Sequence, residues 1–573
     1  MSDDIEMESE TEIETDRAAE TREAGKRMTL SAIVVTAIIA VGRVLGALKQ
    51  IFVAKYFGLG GLTDALNILY DVVVIRSYAN IEQLVRPAYL PVFVRAKADD
   101  EAEAWRLTSI LTTVAFLVLS LLVAVGAVFA PDVIRLLWPS MAWTPVTDDP
   151  LLRDLLRFIH SFWPHLAESL SVFPWAVGLF RVMAPAVVFF SLSIMPELTL
   201  HSYKRFTWPA VSDALFRIFV PIAMVALIGH VWHRDDPAAI YAFGIGVLLG
   251  GTVRFFVMVP ALGNKLKQFK PSVAVTDPKA VETFTLMLPV LAGVIFSALR
   301  GYVESRVATD IGMGTYAALK FARGITDIPV QILPLAVSFV VFPYLTEWAG
   351  RGDKDSMAGA LVSMTRAMAF LFVPAAVAVI LLAHPVVTLL YVRGKFTAQD
   401  VIPTARALYY FAPGLLFFAL EGSINKWFFA LKDTVTPNVV GIAAVFVHIT
   451  IALLGGYVFH GDLTVLALAY SLSKSLKVIV LYILIKPRLG PMQKAPALKY
   501  VAKLAVSCAV MAGVILGTEV VLHRVIANGK LVMLAAMMTG TVAFLLAAAL
   551  TRIEELRLVT DHTVGKLWKR LMR

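Results

Sequence analysis

The stretch Thr29–Lys55, TLSAIVVTAIIAVGRVLGALKQIFVAK, decides how the rest of the chain is read. It is long enough to cross a bilayer, because about 20 mainly apolar residues in a helix span the hydrocarbon core. Yet Arg43 and Lys49 stand inside it. The same contradiction recurs along the chain. Asp64, Asp71, Arg76, Glu82 and Arg86 run through the next apolar stretch. Arg300, Glu304 and Arg306 lie in a later one, followed by Lys320, Arg323 and Asp327. A charge at the bilayer centre costs about 2.5–3.5 kcal/mol on insertion scales. A lipid-facing helix would not keep several. These side chains are expected to face a water-filled interior, and mostly cationic walls suit an anionic substrate.

Of 573 residues, 58% are hydrophobic and only 16% charged, against about 25% charged in ordinary soluble domains. Apolar stretches recur from Thr29 to Thr551 with short polar breaks. The expected fold is an all-α polytopic membrane protein of about fourteen transmembrane helices. The weak ten-residue alternation of an outer-membrane barrel is not seen. A single cysteine, Cys508, sits in an apolar run and reads as a packing residue. The formal charge of +10 does not point to nucleic acid. The basic residues cluster in alternate loops, such as Lys204-Arg205 and Lys265/Lys267/Lys270, a pattern that places both termini in the cytoplasm. No Walker loop, HExxH or Cys/His cluster is present, so no enzyme site, metal or cofactor is implied.

An internal repeat organises the spans. With Ala184-Pro185 over Ala412-Pro413, Phe189-Phe190 falls on Phe417-Phe418, Lys204 on Lys432 and Pro209 on Pro437, without a gap. A looser match sets Lys49 over Arg300 and Lys55 over Arg306. Six spans separate the copies, so the halves run parallel, as in transporters whose halves rock around a midplane site. The expected division is an acidic cytoplasmic tail (1–27), an N-terminal six-helix half (28–265), a C-terminal six-helix half (266–486), two extra transmembrane helices (487–551) and a basic amphipathic tail (552–573). The acidic start lacks a basic region and an apolar segment, so it does not read as a signal peptide. The segment 131–176 is the longest loop on the external side. Its residues Leu151, Leu152, Leu155, Leu156 and Ile159 share one face of an amphipathic helix, expected at the membrane–water interface or over the cavity.

Candidate substrate-binding residues are Arg43, Lys49, Arg76, Arg86, Arg300 and Arg323. Guanidinium groups bind phosphate bidentately. Arg86, Lys55 and Arg306 lie near predicted span ends, where snorkelling competes with a cavity role. Asp64, Glu82, Glu304 and Asp327 are expected to balance those charges. A second reading gives one or two of these acids to proton relay or to a coupling cation.

Several motifs resemble the MurJ/MviN lipid II flippase family. They are Arg43-Val-Leu-Gly46 with Ala54-Lys-Tyr-Phe-Gly58 and Thr63-Asp64-Ala65, then Leu248 to Arg254. Tyr391-Val-Arg-Gly-Lys-Phe-Thr-Ala398 with Asp400, and Asp433-Thr-Val-Thr-Pro437, are the more specific ones. The resemblance implies the multidrug/oligosaccharidyl-lipid/polysaccharide exporter fold in a bacterial inner membrane. It also implies movement of an undecaprenyl-pyrophosphate-linked peptidoglycan precursor to the outer leaflet, with Arg43, Lys49, Asp64 and Glu82 as cavity residues. The partners implied are a lipid-linked glycan pyrophosphate and membrane lipids. Departures are Gln50 where the family has an acid, a single Arg76 where it has a basic pair, and Gly324 beside Arg323. Rival readings are export of another lipid-linked glycan, an anionic lipid or drugs, and a polytopic glycosyltransferase or polymerase using acids of 131–176. A scaffold without transport is a third.

Overall fold

The computed structural model describes residues 34–146, 150–490, 495–526 and 528–556. The acidic start and most of the basic tail lie outside them. Among the described residues, twelve helices are long and apolar enough to cross a membrane. Two further long helices run over 61–99 and Thr315–Arg351. Both carry charges read above as facing an interior, among them Asp71, Arg76, Lys320 and Arg323.

In chain order, α1 is Val34–Phe57. Helix α2 runs over 61–99 and changes winding: Gly61–Ile68 is α-helical, Leu69–Ile75 is a π-helical turn, and Arg76–Asp99 is α-helical again. Then come α3 (Glu101–Val128), the short insert helices α4 (Ala130–Leu137), α5 (Pro150–Phe162) and α6 (Pro164–Leu170), and α7 (Phe173–Ser202). They are followed by α8 (Thr207–Leu227), α9 (Pro237–Ala261), α10 (Pro278–Ile311), α11 (Thr315–Arg351) and α12 (Lys354–Leu381). The last are α13 (Ala383–Tyr391), α14 (Ala398–Ala430), α15 (Val435–Val458), α16 (Leu463–Arg488), α17 (Leu498–Leu522) and α18 (Gly529–Leu550).

The repeat is visible in backbone geometry. Lys204 and Lys432, superposed by the sequence alignment, both take a left-handed conformation, with φ of 59° and 60°. Each closes the same turn: Lys204 N–H donates to His201 C=O at 2.9 Å and Lys432 N–H to Phe429 C=O at 3.0 Å. A non-glycine residue accepts this only where the turn demands it.

One face of the 150–162 helix was expected to be apolar, and two faces are. Leu156 is buried against the protein, whereas Leu151 and Leu155 are exposed. The exposed stripe continues through Phe158 and Phe162 at helical spacing.

Three groups of contacts tie the first-half helices to the second half at the end that carries the insert. Asp64, on α2, accepts from the N–H groups of Gly314 and Ala317 at 2.6 and 2.7 Å. It thereby caps the N-terminus of α11, where the helix dipole favours an anion. Lys395 N–H donates to Lys55 C=O at 2.9 Å. Gly394 (φ 62°) presses on that same carbonyl, and a Cβ on Gly58 (φ 66°) would lie 2.6 Å from Lys395 C=O. Trp138 of the insert donates to Ser305 Oγ of α10 at 3.0 Å.

Candidate functional site: a charged central cavity

A cavity of about 270 Å³ lies between the halves, lined by α1, α2, α7, α8, α9 and α11. Six basic side chains (Arg43, Lys49, Arg217, Arg254, Lys320, Arg323) and three acidic ones (Asp71, Asp213, Asp327) line it. The small residues Gly46 and Ala47 open the wall on α1, as small side chains do where helices approach closely. The π-turn of α2 matters here. It contains Tyr70 and Asp71, which both line the cavity, and π-bulges cluster at functional sites.

The charges are organised by partner. Lys320 holds Asp71 at 2.7 Å. Asp213 receives Arg254 at 2.6 Å and Arg217 at 3.0 Å. Arg323 pairs with Glu304, which is only 2% exposed, and its guanidinium lies 4.1 Å from the Tyr470 ring centroid. Lys49 sits 3.6 Å over the Tyr70 ring, a cation–π contact. Lys49 and Arg43 form no ion pair among the described residues. The wall thus keeps two cations, Arg43 and Lys49, outside its ion pairs among the described residues.

The candidate residues separate by place. Arg43, Lys49, Arg323 and Asp327 line the cavity, and Glu304 stands behind Arg323. Asp64 is at the insert-end seam. Arg76 is not in the cavity wall: it packs on Gly301 and donates to Ser297 C=O of α10 at 3.1 Å. Arg300 lies against Tyr470, 6.0 Å from its ring centroid. Arg86 is near the Lys/Arg-rich end, paired with Glu82 at 2.6 Å and Glu197 at 2.7 Å.

Sequence reading missed Asp213, Arg217 and the role of Arg254. Arg254 is 3% exposed and joins Glu197 (2.9 Å), Asp213 and the Tyr78 hydroxyl (2.6 Å). A continuous chain of pairs, Glu82–Arg86–Glu197–Arg254–Asp213–Arg217, therefore links the Lys/Arg-rich end to the cavity. The available signal was Asp213-x-x-x-Arg217 at helical i,i+4 spacing inside an apolar span. The second half has its own version: Glu421 on α14 receives Lys477 at 2.7 Å, and Lys474, both from α16.

Comparison with known proteins agrees with this architecture. Residues 53–537 match the family model described as Lipid II flippase MurJ. The chain belongs to the lipid II flippase MurJ family. A MurJ relative from Burkholderia cenocepacia, a lipid II flippase, is 25% identical over 482 residues, covering 82% of this chain and 86% of the relative. A probable lipid II flippase MurJ from Vibrio cholerae is 26% identical over 496 residues, covering 86% and 89%. Among solved structures, a MurJ in its inward closed conformation superposes with a TM-score of 0.70 at 19% identity, covering 90% of this chain and 98% of that one. An inward-facing multidrug transporter of the MATE family shares the fold with a TM-score of 0.58 at 14% identity, covering 80% and 98%. MurJ is a transporter family, and this member is a multi-pass membrane protein.

Proposed function

We propose that this chain flips lipid II, an undecaprenyl-pyrophosphate-linked peptidoglycan precursor, from the inner to the outer leaflet of the bacterial inner membrane. The observation that carries the reading is the cationic surplus of the central cavity in a MurJ-family fold. Arg43, Lys49 and Arg323 hold the pyrophosphate, since charge-assisted and bidentate hydrogen bonds to phosphate are the strong ones. The lipid chain stays in the membrane. The Lys/Arg-rich end faces the cytoplasm, with both termini. The charged helices over 61–99 and Thr315–Arg351 also cross the membrane, making fourteen spans.

The two halves, 28–265 and 266–486, rock about the cavity. The seam at Asp64, Gly58 and Gly394 is the external gate, shut in this conformation. An empty cavity with net positive charge couples to the membrane potential, at about 2.3 kcal/mol per charge per 100 mV.

The test is complementation of a bacterium depleted of its own lipid II flippase. The wild-type chain restores growth, and Arg43→Ala does not. Failure of a well-inserted wild-type chain would overturn the cargo assignment.

A further inference from the structure

The insert between α3 and α7 encloses a second polar space. It has a volume of about 540 Å³ and includes Arg157 and His160 of α5, Arg306 and Asp310 of α10, and Tyr457 of α15 in its walls. Gly312 and Met313 also line it. They immediately precede Gly314, whose N–H is capped by Asp64. The vestibule thus lies against the closed seam.

Its walls carry two guanidinium groups, Arg157 and Arg306, beside one carboxylate, Asp310. Asp310 is already engaged, by Arg306 at 2.9 Å and by the Tyr457 hydroxyl at 2.7 Å. Arg157 also meets Asp154, at 3.7 Å. The hydroxyls of Ser140 and Thr144 add hydrogen-bonding groups to the same wall. Cations beside hydroxyls and a carboxylate suit a phosphorylated sugar.

Helix α5 is two-sided in a way that matches an amphiphile. Leu151, Leu155, Phe158 and Phe162 form its exposed stripe, continued by Trp163 and Leu166. At 3.6 residues per turn, His160 and Arg157 fall on the side away from that stripe. Aromatic residues beside cations mark a helix lying in the membrane–water interface. One side of α5 is apolar and exposed, and the other lines the vestibule.

We propose that this vestibule is an exit station. It binds the sugar–phosphate headgroup of the lipid-linked cargo after passage through the seam, while the lipid chain lies along the apolar stripe of α5 and α6. The assignment rests on the flippase reading and adds a second binding site to it.

The test uses the full chain in phosphatidylcholine nanodiscs with lipid II as the probe. A photoreactive residue is placed either at position 313, in the vestibule, or at position 47, in the central cavity. Lipid II is expected to label both. Arg157→Gln combined with His160→Gln should lower labelling at 313 by about tenfold, the weight of about one lost charge-assisted bond, and leave labelling at 47 unchanged. Label at 47 without label at 313 overturns the exit station and spares the flippase. Equal competition by phosphatidylglycerol at 313 overturns it too, in favour of a general phospholipid site. Silence at both positions removes the cargo assignment and the vestibule with it.

Discussion

The central cavity and the insert-end seam both place charge within a membrane fold, and they use it differently. In the cavity Arg323 and Arg254 are matched by Glu304 and Glu197 behind the wall, while Arg43 and Lys49 keep no ion pair among the described residues. At the seam a single carboxylate, Asp64, is matched to two N–H groups of α11. The remaining seam contacts are largely backbone against backbone, packed through glycines. Surplus charge can be offered to a ligand. Matched charge can only hold two parts in register. The number of partners, and not the depth in the membrane, separates a binding residue from a latch.

The largest effect is expected where these two roles meet, at Arg323. Its guanidinium lines the cavity and also neutralises the buried Glu304. Arg323→Ala should abolish complementation and destabilise the protein by about 3–5 kcal/mol, because it strands a buried carboxylate. Adding Glu304→Gln should restore most of the thermal stability and none of the transport. Recovery of growth in the double variant would show that Arg323 acts only as a counter-charge, and the distinction between surplus and latch would fail there.

Asp64→Asn should be next. It keeps the size and removes the charge that the α11 N-terminus attracts. A loss of about 1–2 kcal/mol in seam stability is expected from the cap and dipole together. The readout is maleimide labelling of Thr315→Cys, a position 7% exposed beside the capped N–H groups. The one native cysteine, Cys508, is buried to the same degree as Thr315, so the labelling is done in a Cys508→Ala background. Faster labelling in the Asp64→Asn background marks a loosened gate. An unchanged rate means the glycine contacts alone hold the seam. Gly394→Ala tests that side of it. The new Cβ meets the Lys55 carbonyl and the residue is left-handed, a conformation that costs a non-glycine residue about 1–2 kcal/mol. It should also speed labelling at position 315, at least as much as Asp64→Asn does.

Much of this fold is readable from residues, because apolar spans and their polar breaks are local in sequence. Helices α17 and α18 fall where the hydropathy places them, Leu498–Leu522 and Gly529–Leu550. The cavity is less legible. Arg43, Lys49 and Arg323 stand out as charges in apolar stretches, but partner choice is a three-dimensional property. Nothing near Asp64 in sequence reveals that its acceptor atoms are spent on a helix 250 residues later. Asp213 and Arg217 cancel each other at i,i+4 and leave the span apolar on average, which hides them. One of the more specific family motifs is structural. In Gly394-Lys-Phe396-Thr397-Ala-Gln-Asp400, the glycine packs the seam, Phe396 is buried against Phe321 and Tyr391, and Thr397 with Asp400 forms the capping box of α14. They report how the bundle is held.

The smallest effect is expected at Asp433, which repeats the chemistry of Asp64 in water. It lies between α14 and α15 and accepts from the Thr436 hydroxyl at 2.6 Å, the Thr436 N–H at 2.9 Å and Arg488 at 2.5 Å. The two Thr436 bonds, with Arg488 behind them, hold its carboxyl down to about 2. An unfolded aspartate titrates near 3.9. The folded value is the lower one, so the contribution is present above about pH 4 and fades as pH falls toward 2. Solvent screens this exposed pair, and Asp433→Asn should cost under about 1 kcal/mol at neutral pH. Melting curves of the purified variant and wild type should therefore differ slightly at pH 7 and converge near pH 2–3. Water can take the place of the carboxylate oxygen that this substitution removes at the surface, whereas the N–H groups at the seam are buried. If Asp433→Asn destabilised the protein as much as Asp64→Asn, burial would not be what makes the seam carboxylate a latch.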